Sequence, residues 1–272
     1  MKVKLFVVTY NNDKILNEWF LRSLRQSEYP KERVSVNILN NYSDKINIDA
    51  QNLNCVERVF HNTIRLDIST GHLSRDWNHG IMNAFKNLKN PEFDIAIMAQ
   101  NDTVLRRDWY ERSIIASKKY AFVTYGAGDQ FQIINPDCVM SVGMYDERFC
   151  NIACQAADYF ARCLLIMPDK ISINDSYHGR VHNPEPSLMP IEATKTGAQR
   201  QDPMNLQANT STQVSIDFWN EKWSGVEPCW WTDGSVRQMK KIIEKKLPRL
   251  KMQMLYPYFE MDIEKKIYEC AT

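Results

Sequence analysis

No run in this 272-residue chain approaches the roughly 20 consecutive apolar residues that a bilayer-spanning helix needs. The apolar stretch within Met1 to Tyr10 is too short for the core of a secretion signal, and Asn11, Asn12 and Asp13 follow it at once. Charge of one sign is lacking too. Lys and Arg number 34 against 33 Asp and Glu, a formal net charge of +1, so there is no global basic field to attract nucleic acid and no acidic, disordered composition. The seven cysteines (Cys55, Cys138, Cys150, Cys154, Cys163, Cys229 and Cys270) are odd in number and form no Cys-x-x-Cys pair. Cys150 and Cys154 stand at helix spacing rather than as a metal knuckle. A reduced, cytoplasmic setting is expected. Gly-x-Gly-x-x-Gly is absent, which argues against a dinucleotide-binding fold, and there is no internal repeat or low-complexity tract.

What is present is ordinary globular material. Hydrophobic residues make up 44% of the chain and charged residues 25%, enough for one large domain or one domain with an extension. Leu5 to Val8 reads as a strand ended by Asn11-Asn12. Ile15, Trp19, Leu21 and Leu24 then recur at helical spacing, up to Tyr29-Pro30. Val34 to Leu39 reads as a second strand and Cys55 to Phe60 as a weaker third. Ser74 to Leu88 is expected to be a helix presenting Trp77, Ile81, Phe85 and Leu88 on one face, followed by a strand over Asp94 to Met98. Strands alternating with helices imply βαβ units and a parallel sheet. Further on, strands are expected over Ala121 to Tyr125 and Phe131 to Ile134, around the turn Gly126-Ala-Gly-Asp129. A helix is expected over Ala153 to Leu165, a polar loop or lid over Pro184 to Asn209, and a basic amphipathic segment over Arg237 to Lys251.

The most informative stretch is Asp94-Ile-Ala-Ile-Met-Ala-Gln-Asn-Asp102-Thr. A buried strand gives way to a polar turn with one carboxylate. Ligands of open α/β sheets bind beyond the carboxyl ends of the strands, and a carboxylate there can hold a divalent cation that in turn holds phosphate oxygens. The bland alternative is that Asn101 and Asp102 cap the next helix.

Several phrases, in this order, resemble the GT-A glycosyltransferases, and among them the inverting family 2, rhamnosyltransferase-like group. They are Val7-Val-Thr-Tyr-Asn-Asn12, Leu21-Arg-Ser-Leu-Arg-Gln-Ser-Glu-Tyr-Pro30, Ile38-Leu-Asn-Asn-Tyr-Ser-Asp44, Asn78-His-Gly-Ile81, Met98-Ala-Gln-Asn-Asp102-Thr, Val142-Gly-Met-Tyr-Asp-Glu-Arg-Phe149, Asp158-Tyr-Phe-Ala-Arg162 and Phe218-Trp-Asn-Glu-Lys-Trp223. The resemblance covers roughly residues 3 to 225. It implies an α/β fold of GT-A (Rossmann-like) type: a mixed, mainly parallel sheet flanked by helices, with a helical C-terminal extension. The expected division is a domain over 1–230, donor half about 1–105 and acceptor half about 106–230, then a basic extension over 231–272.

The resemblance also implies roles. Asp102 would hold Mn²⁺ or Mg²⁺, although Gln100 stands where the family's metal motif has its first carboxylate. His178 or His182 would complete the metal site, His178 being preferred. Thr9 and Asn11 would line the base pocket, and Asn41 and Asp44 would meet base and ribose. Arg75, Asn78 and Asn101 would lie toward the donor, the first two facing its diphosphate. The family's acidic pair falls near Gln155 and Ala156, so Asp158 is taken as the base with Asp129 and Asp146 as alternatives. A simpler account of Asp158 is an i,i+4 pair with Arg162. Trp219, Trp223, Trp230 and Trp231 suit sugar stacking or, more simply, the core.

The function implied is inverting, metal-dependent transfer of a hexose or deoxyhexose from a nucleotide-diphosphate sugar to a glycan or lipid-linked saccharide. The basic segment would allow peripheral membrane contact; nucleic acid is not an expected partner. The alternative is a domain that binds nucleotide sugar or glycan without turnover, suggested by the missing acids at positions 100, 155 and 156. A nucleotidyltransferase ranks last, because Thr9-Tyr-Asn-Asn12 is not a Gly-rich basic loop.

Overall fold

A computed structural model describes residues 1–41, 45–61, 72–149, 152–175, 179–192, 212–223, 226 and 241. Strand β1 (Val3–Thr9) is buried along its whole length. It pairs in parallel with β2 (Val34–Asn40) on one side and β4 (Ile95–Gln100) on the other. Strand β3 (Arg58–His61) extends the parallel part beyond β2. On the other flank, β6 (Phe131–Ile134) runs antiparallel to β4 and to β5 (Phe122–Gly126). Strand β7 (Ile171–Asp175) is parallel to β5, and β8 (Arg180–His182) is antiparallel to β7. The sheet order is β3-β2-β1-β4-β6-β5-β7-β8, so the expected mixed, mainly parallel sheet flanked by helices is the observed architecture.

Side-chain alternation sends the two faces of each strand into separate cores. Phe6, Leu39, Ala96 and Met98 pack on one face with α3 (His72–Phe85), α5 (Pro136–Val142) and α6 (Ile152–Ile166). Val3, Leu5, Val7, Val36, Ile38, Ile95 and Ile97 pack on the other. That second face is covered by α2 (Arg22–Gln26), by the π-helical turn Leu16–Leu21 that joins it to the short α1 (Asp13–Ile15), and by α4 (Trp109–Lys119). Trp77, Ile81, Phe85 and Leu88 are all buried, as their spacing predicts. Helix α7 (Thr212–Trp223) packs on α6 through Trp219 and Trp223, which are core residues rather than exposed stacking platforms.

Short elements escaped the sequence reading: α5, β7 and β8 were not anticipated. Helix α5 starts locally, with Asn135 Oδ1 accepting from the Cys138 amide at 3.1 Å and Pro136 in the first turn. Of the expected Pro184–Asn209 lid only 184–192 is described, with a 3₁₀ turn at Pro186–Leu188. The basic segment over 237–251 and most of the extension over 231–272 lie outside the described residues.

Helix α3 lies close on the sheet at Gly80. A Cβ there would stand 2.6 Å from Met98 Sδ and Cε and 3.2 Å from Phe6 Cδ2. Gly80→Val is expected to lower unfolding free energy by about 1–3 kcal/mol through overpacking, measured by urea denaturation.

Candidate active site

The parallel strands end on one edge of the sheet, and the chain turns polar there. Antiparallel β6 begins at that edge, with Phe131 facing Ala99 of β4 and Tyr125 of β5. The β5–β6 turn, which carries Asp129 and Gln130, therefore lies beside the carboxyl end of β4. This is the crevice position in which open α/β sheets bind ligands.

Three of the expected donor-side residues meet here. Asn41 donates its amide hydrogen to Thr9 O at 3.0 Å and Asn101 donates its own to Val8 O at 3.1 Å. Asn101 Nδ2 donates to Thr9 Oγ1 at 2.9 Å. Arg75 joins them rather than lying on a solvated face. Its Nη2 donates to Asn41 Oδ1 at 3.3 Å and approaches Asp76 Oδ1 at 3.5 Å, while Asn41 Nδ2 donates to Asp76. Asn11 is exposed at the rim with φ 42°. Asp44 lies outside the described residues.

Asp102 is buried and accepts from Gln130 Nε2 at 2.9 Å. Burial raises its pKa, against the opposing effect of that hydrogen bond. It does not cap the next helix, which starts at Trp109 after Asp108. Among the described residues no group of three His, Cys, Asp or Glu could hold a metal ion. The lone Asp102 carboxylate suits a cation that arrives with a diphosphate and keeps its own waters.

Asp129, in the β5–β6 turn beside that edge, is fully buried. Its Oδ2 accepts from Trp77 Nε1 at 2.7 Å and Gln155 Nε2 at 3.0 Å, and its Oδ1 accepts from Gln100 Nε2 at 2.9 Å. Burial pushes its pKa up to about 6. The Trp77 and Gln155 hydrogen bonds pull it down, and the neighbouring Asp175 adds a smaller upward push. The two glutamines that replace the expected acids thus converge on one carboxylate.

Three expected roles need correction. Asp158 is not placed to act as a base. Both its oxygens are engaged in a buried cluster, by Arg162 Nε at 2.9 Å, Lys222 Nζ at 2.7 Å and Trp223 Nε1 at 3.0 Å, so the i,i+4 pair with Arg162 is what forms. Asn78 does not face a diphosphate. Its amide is spent on the 145–147 turn, accepting from Tyr145 N at 2.8 Å and donating to Tyr145 O at 3.0 Å and Glu147 Oε1 at 2.8 Å. His182 is turned away: its ring bonds Pro168 O at 2.8 Å, just before the start of β7, whereas the crevice lies at the other end of that strand. His178 lies outside the described residues.

Sequence reasoning missed four groups. Asp76 adjoins the buried Trp77, and Gln130 follows the Asp129 turn. Asp175 ends β7, accepts from Gly128 N at 2.9 Å and pairs with Arg180 Nε at 3.6 Å. Glu147 had a visible signal in Tyr145-Asp-Glu-Arg148, but only the fold shows it buried, with Oε2 lacking any hydrogen-bond partner among the described residues. Burial raises its pKa to about 8; Asn78 and Arg75 oppose this, and Asp76 and Asp146 add to it. Asp146 beside it behaves oppositely. Burial works against its charge, but Lys222 and Arg148 outweigh that and hold it well below the usual carboxylate range.

No family model matches the chain, and no curated protein matches it. Among solved structures, S. aureus TarS (residues 1–349) is similar at 12% identity and TM-score 0.46, over 93% of this chain and 83% of that one. The mannosyltransferase PcManGT from Pyrobaculum calidifontis, in complex with GDP-Man and Mn²⁺, is similar at 11% identity and TM-score 0.40, over 99% and 86%. Glucosyl-3-phosphoglycerate synthase from Mycobacterium tuberculosis, with phosphoglyceric acid, is similar at 8% and 0.46, over 79% of each chain. Likeness of this degree bears on neither activity nor substrate.

Two outcomes follow from the buried carboxylates. Asp158→Asn leaves Lys222 and Arg162 undercompensated and is expected to lower stability by about 3–5 kcal/mol in urea denaturation. Glu147, with its folded pKa raised from 4.5 to about 8, binds a proton in the folded state that the unfolded chain has released. Its contribution is complete below about pH 4.5 and is lost as pH rises through 8, at up to about 1.4 kcal/mol per pH unit. Glu147→Gln is expected to flatten that slope and to exceed wild type in stability at pH 8.5, as read from pH-dependent melting curves.

Proposed function

We propose that this chain is a GT-A type glycosyltransferase. It transfers a hexose or deoxyhexose from a nucleotide-diphosphate sugar to a hydroxyl of a glycan or lipid-linked saccharide, with inversion. The observation that carries this is the meeting of Thr9, Asn41, Arg75, Asn101, Asp102 and Asp129 at the carboxyl edge of the sheet. Amide and hydroxyl groups suit nucleoside recognition, a cation and a lone carboxylate suit a diphosphate, and a second carboxylate nearby suits a proton acceptor.

Asp129 takes the place first given to Asp158. It receives the proton of the acceptor hydroxyl as that oxygen bonds to the anomeric carbon. The bond from that carbon to the diphosphate oxygen breaks on the opposite face, and the nucleoside diphosphate leaves with the electron pair. One displacement inverts the carbon and needs no covalent intermediate. Arg75 adds positive charge on the donor side. A Mn²⁺ or Mg²⁺ ion carried in by the donor and held by Asp102 would neutralise the leaving diphosphate. Attack requires the hydroxyl to be held close and in line. The buried Asn78 anchor on the 145–147 turn keeps that part of the acceptor half fixed to α3. Peripheral membrane contact through the 237–251 segment and a cytoplasmic location belong to the same proposal.

The competing reading, a domain that binds nucleotide sugar or glycan without turnover, draws on Gln100 and Gln155 standing where acids were expected. Only the transfer reading predicts turnover. UDP-, GDP- and dTDP-sugars are to be screened by thermal shift with and without Mn²⁺. One nucleotide is expected to raise the melting point in a Mn²⁺-dependent way, and Asp102→Ala is expected to lose the Mn²⁺ dependence. Asp129→Asn is expected to keep the shift while slowing release of nucleoside diphosphate by about 10²–10⁴-fold. No shift with any donor would sink the transfer reading and leave a domain that has lost the donor.

A further inference from the structure

Gln100 and Gln155 were expected as losses, yet each places an amide nitrogen on Asp129. The two contacts are not equivalent. Gln155 is buried on α6 and shares Oδ2 with Trp77 Nε1, so two buried donors fix that oxygen from α6 and α3. Gln100 ends β4, is only half-buried, and is the side-chain partner of the other oxygen, Oδ1. An amide facing a carboxylate must present nitrogen, since oxygen against oxygen repels. That fixes the Gln155 amide with Oε1 on its far side, where it has no partner among the described residues.

We propose that Gln155 is the permanent anchor of Asp129 and Gln100 its exchangeable cover: the acceptor hydroxyl displaces the Gln100 amide from Oδ1, while Gln155 and Trp77 continue to hold Oδ2. The arrangement explains how a fully buried carboxylate can meet substrate. Only the contact nearest solvent has to break, and the hydroxyl that replaces the amide restores a hydrogen bond to the same oxygen. Acids at positions 100 and 155 would instead have placed three carboxylates together, which cannot all ionise. Neutral amides leave one carboxylate able to accept a proton. The other titratable groups around Asp129 are Asp175, paired with Arg180, and Tyr145, whose hydroxyl donates to Gln132. Neither contacts Asp129 through its side chain among the bonds described.

The inference rests on the transfer reading, and its test separates the two. The titration of Asp129 is followed by carbon-13 NMR of labelled aspartate carboxyls, assigned with Asp129→Asn, in wild type, Gln155→Met and Gln100→Met. Methionine keeps the volume and removes the donor, and Gln155→Leu serves as a second variant without a donor or a charge should Gln155→Met fold poorly. Wild type is expected to titrate near 6. Each methionine variant is expected to titrate about one pH unit higher or more, having lost a hydrogen bond to the charged form. Kinetics on whichever donor binds then separate the roles, since kcat/KM reports the free protein and kcat the complex. Gln155→Met is expected to move the acid limb of both profiles, and Gln100→Met that of kcat/KM alone. Equal displacement of kcat by both variants overturns the distinction between anchor and cover, and an unmoved titration in Gln155→Met or Gln155→Leu overturns the anchor. A displaced titration with no turnover on any donor supports the anchor, overturns the cover, and defeats the transfer reading separately.

Discussion

A carboxylate inside an apolar interior is stable only where donors surround it, and Asp129 obliges three other parts of the chain to supply them. The β5–β6 turn brings the carboxylate, α3 brings Trp77, β4 brings Gln100 and α6 brings Gln155. Each must arrive in its own register for the charge to be tolerated. The helix packing on one face of the sheet and the order of the central strands are therefore tied to one ionised group. Because the donors are neutral, the cluster carries a single negative charge. Asp102, a short way along the same edge, is held separately by Gln130.

The 145–149 turn is built by a different kind of interaction. Asp146 and Asp158 are buried with Lys222, which contacts both at 2.8 and 2.7 Å. Arg148 and Arg162 complete the network. Arg162 also donates to the carbonyls of Val142 and Met144 at 2.9 and 2.8 Å, so it satisfies the backbone at the end of α5 as well as a carboxylate. Such networks contribute more to fixing one arrangement than to net stability. Here the arrangement fixed is the turn bearing Glu147, which Asn78 grips from α3.

How much of this was legible depended on range. Strands β1, β2 and β4 were readable because buried parallel strands are short, apolar and end in polar turns. Asp102 followed from the end of β4, and the family resemblance added Thr9, Asn41 and Asn101 at the same edge. Helix α3 was readable from Trp77, Ile81 and Phe85. Strand β7 shows a single alternation over five residues and α5 spans seven, too little periodicity to separate from loop. Side-chain partners were the harder part. Spacing on a helix tells Asp158 that Arg162 is near, but not that Lys222 of a later helix is too. Gln155 and Gln100 read as missing acids because the carboxylate they serve lies 26 and 29 residues away in the chain. Asn78 was expected to face the donor, a reading of helix face that could not see the turn packed above it.

The position of Lys222 has one more consequence. Its ammonium comes from the last described helix, 76 residues beyond Asp146, and it serves two carboxylates at once. A chain ending before residue 212 would keep every strand of the sheet and the whole crevice edge, yet would strand Asp146 and Asp158 against Arg148 and Arg162 with less counter-charge and bare the apolar flank of α6 to water. Helix α7 is thus an electrostatic keystone for a turn laid down much earlier in the sequence.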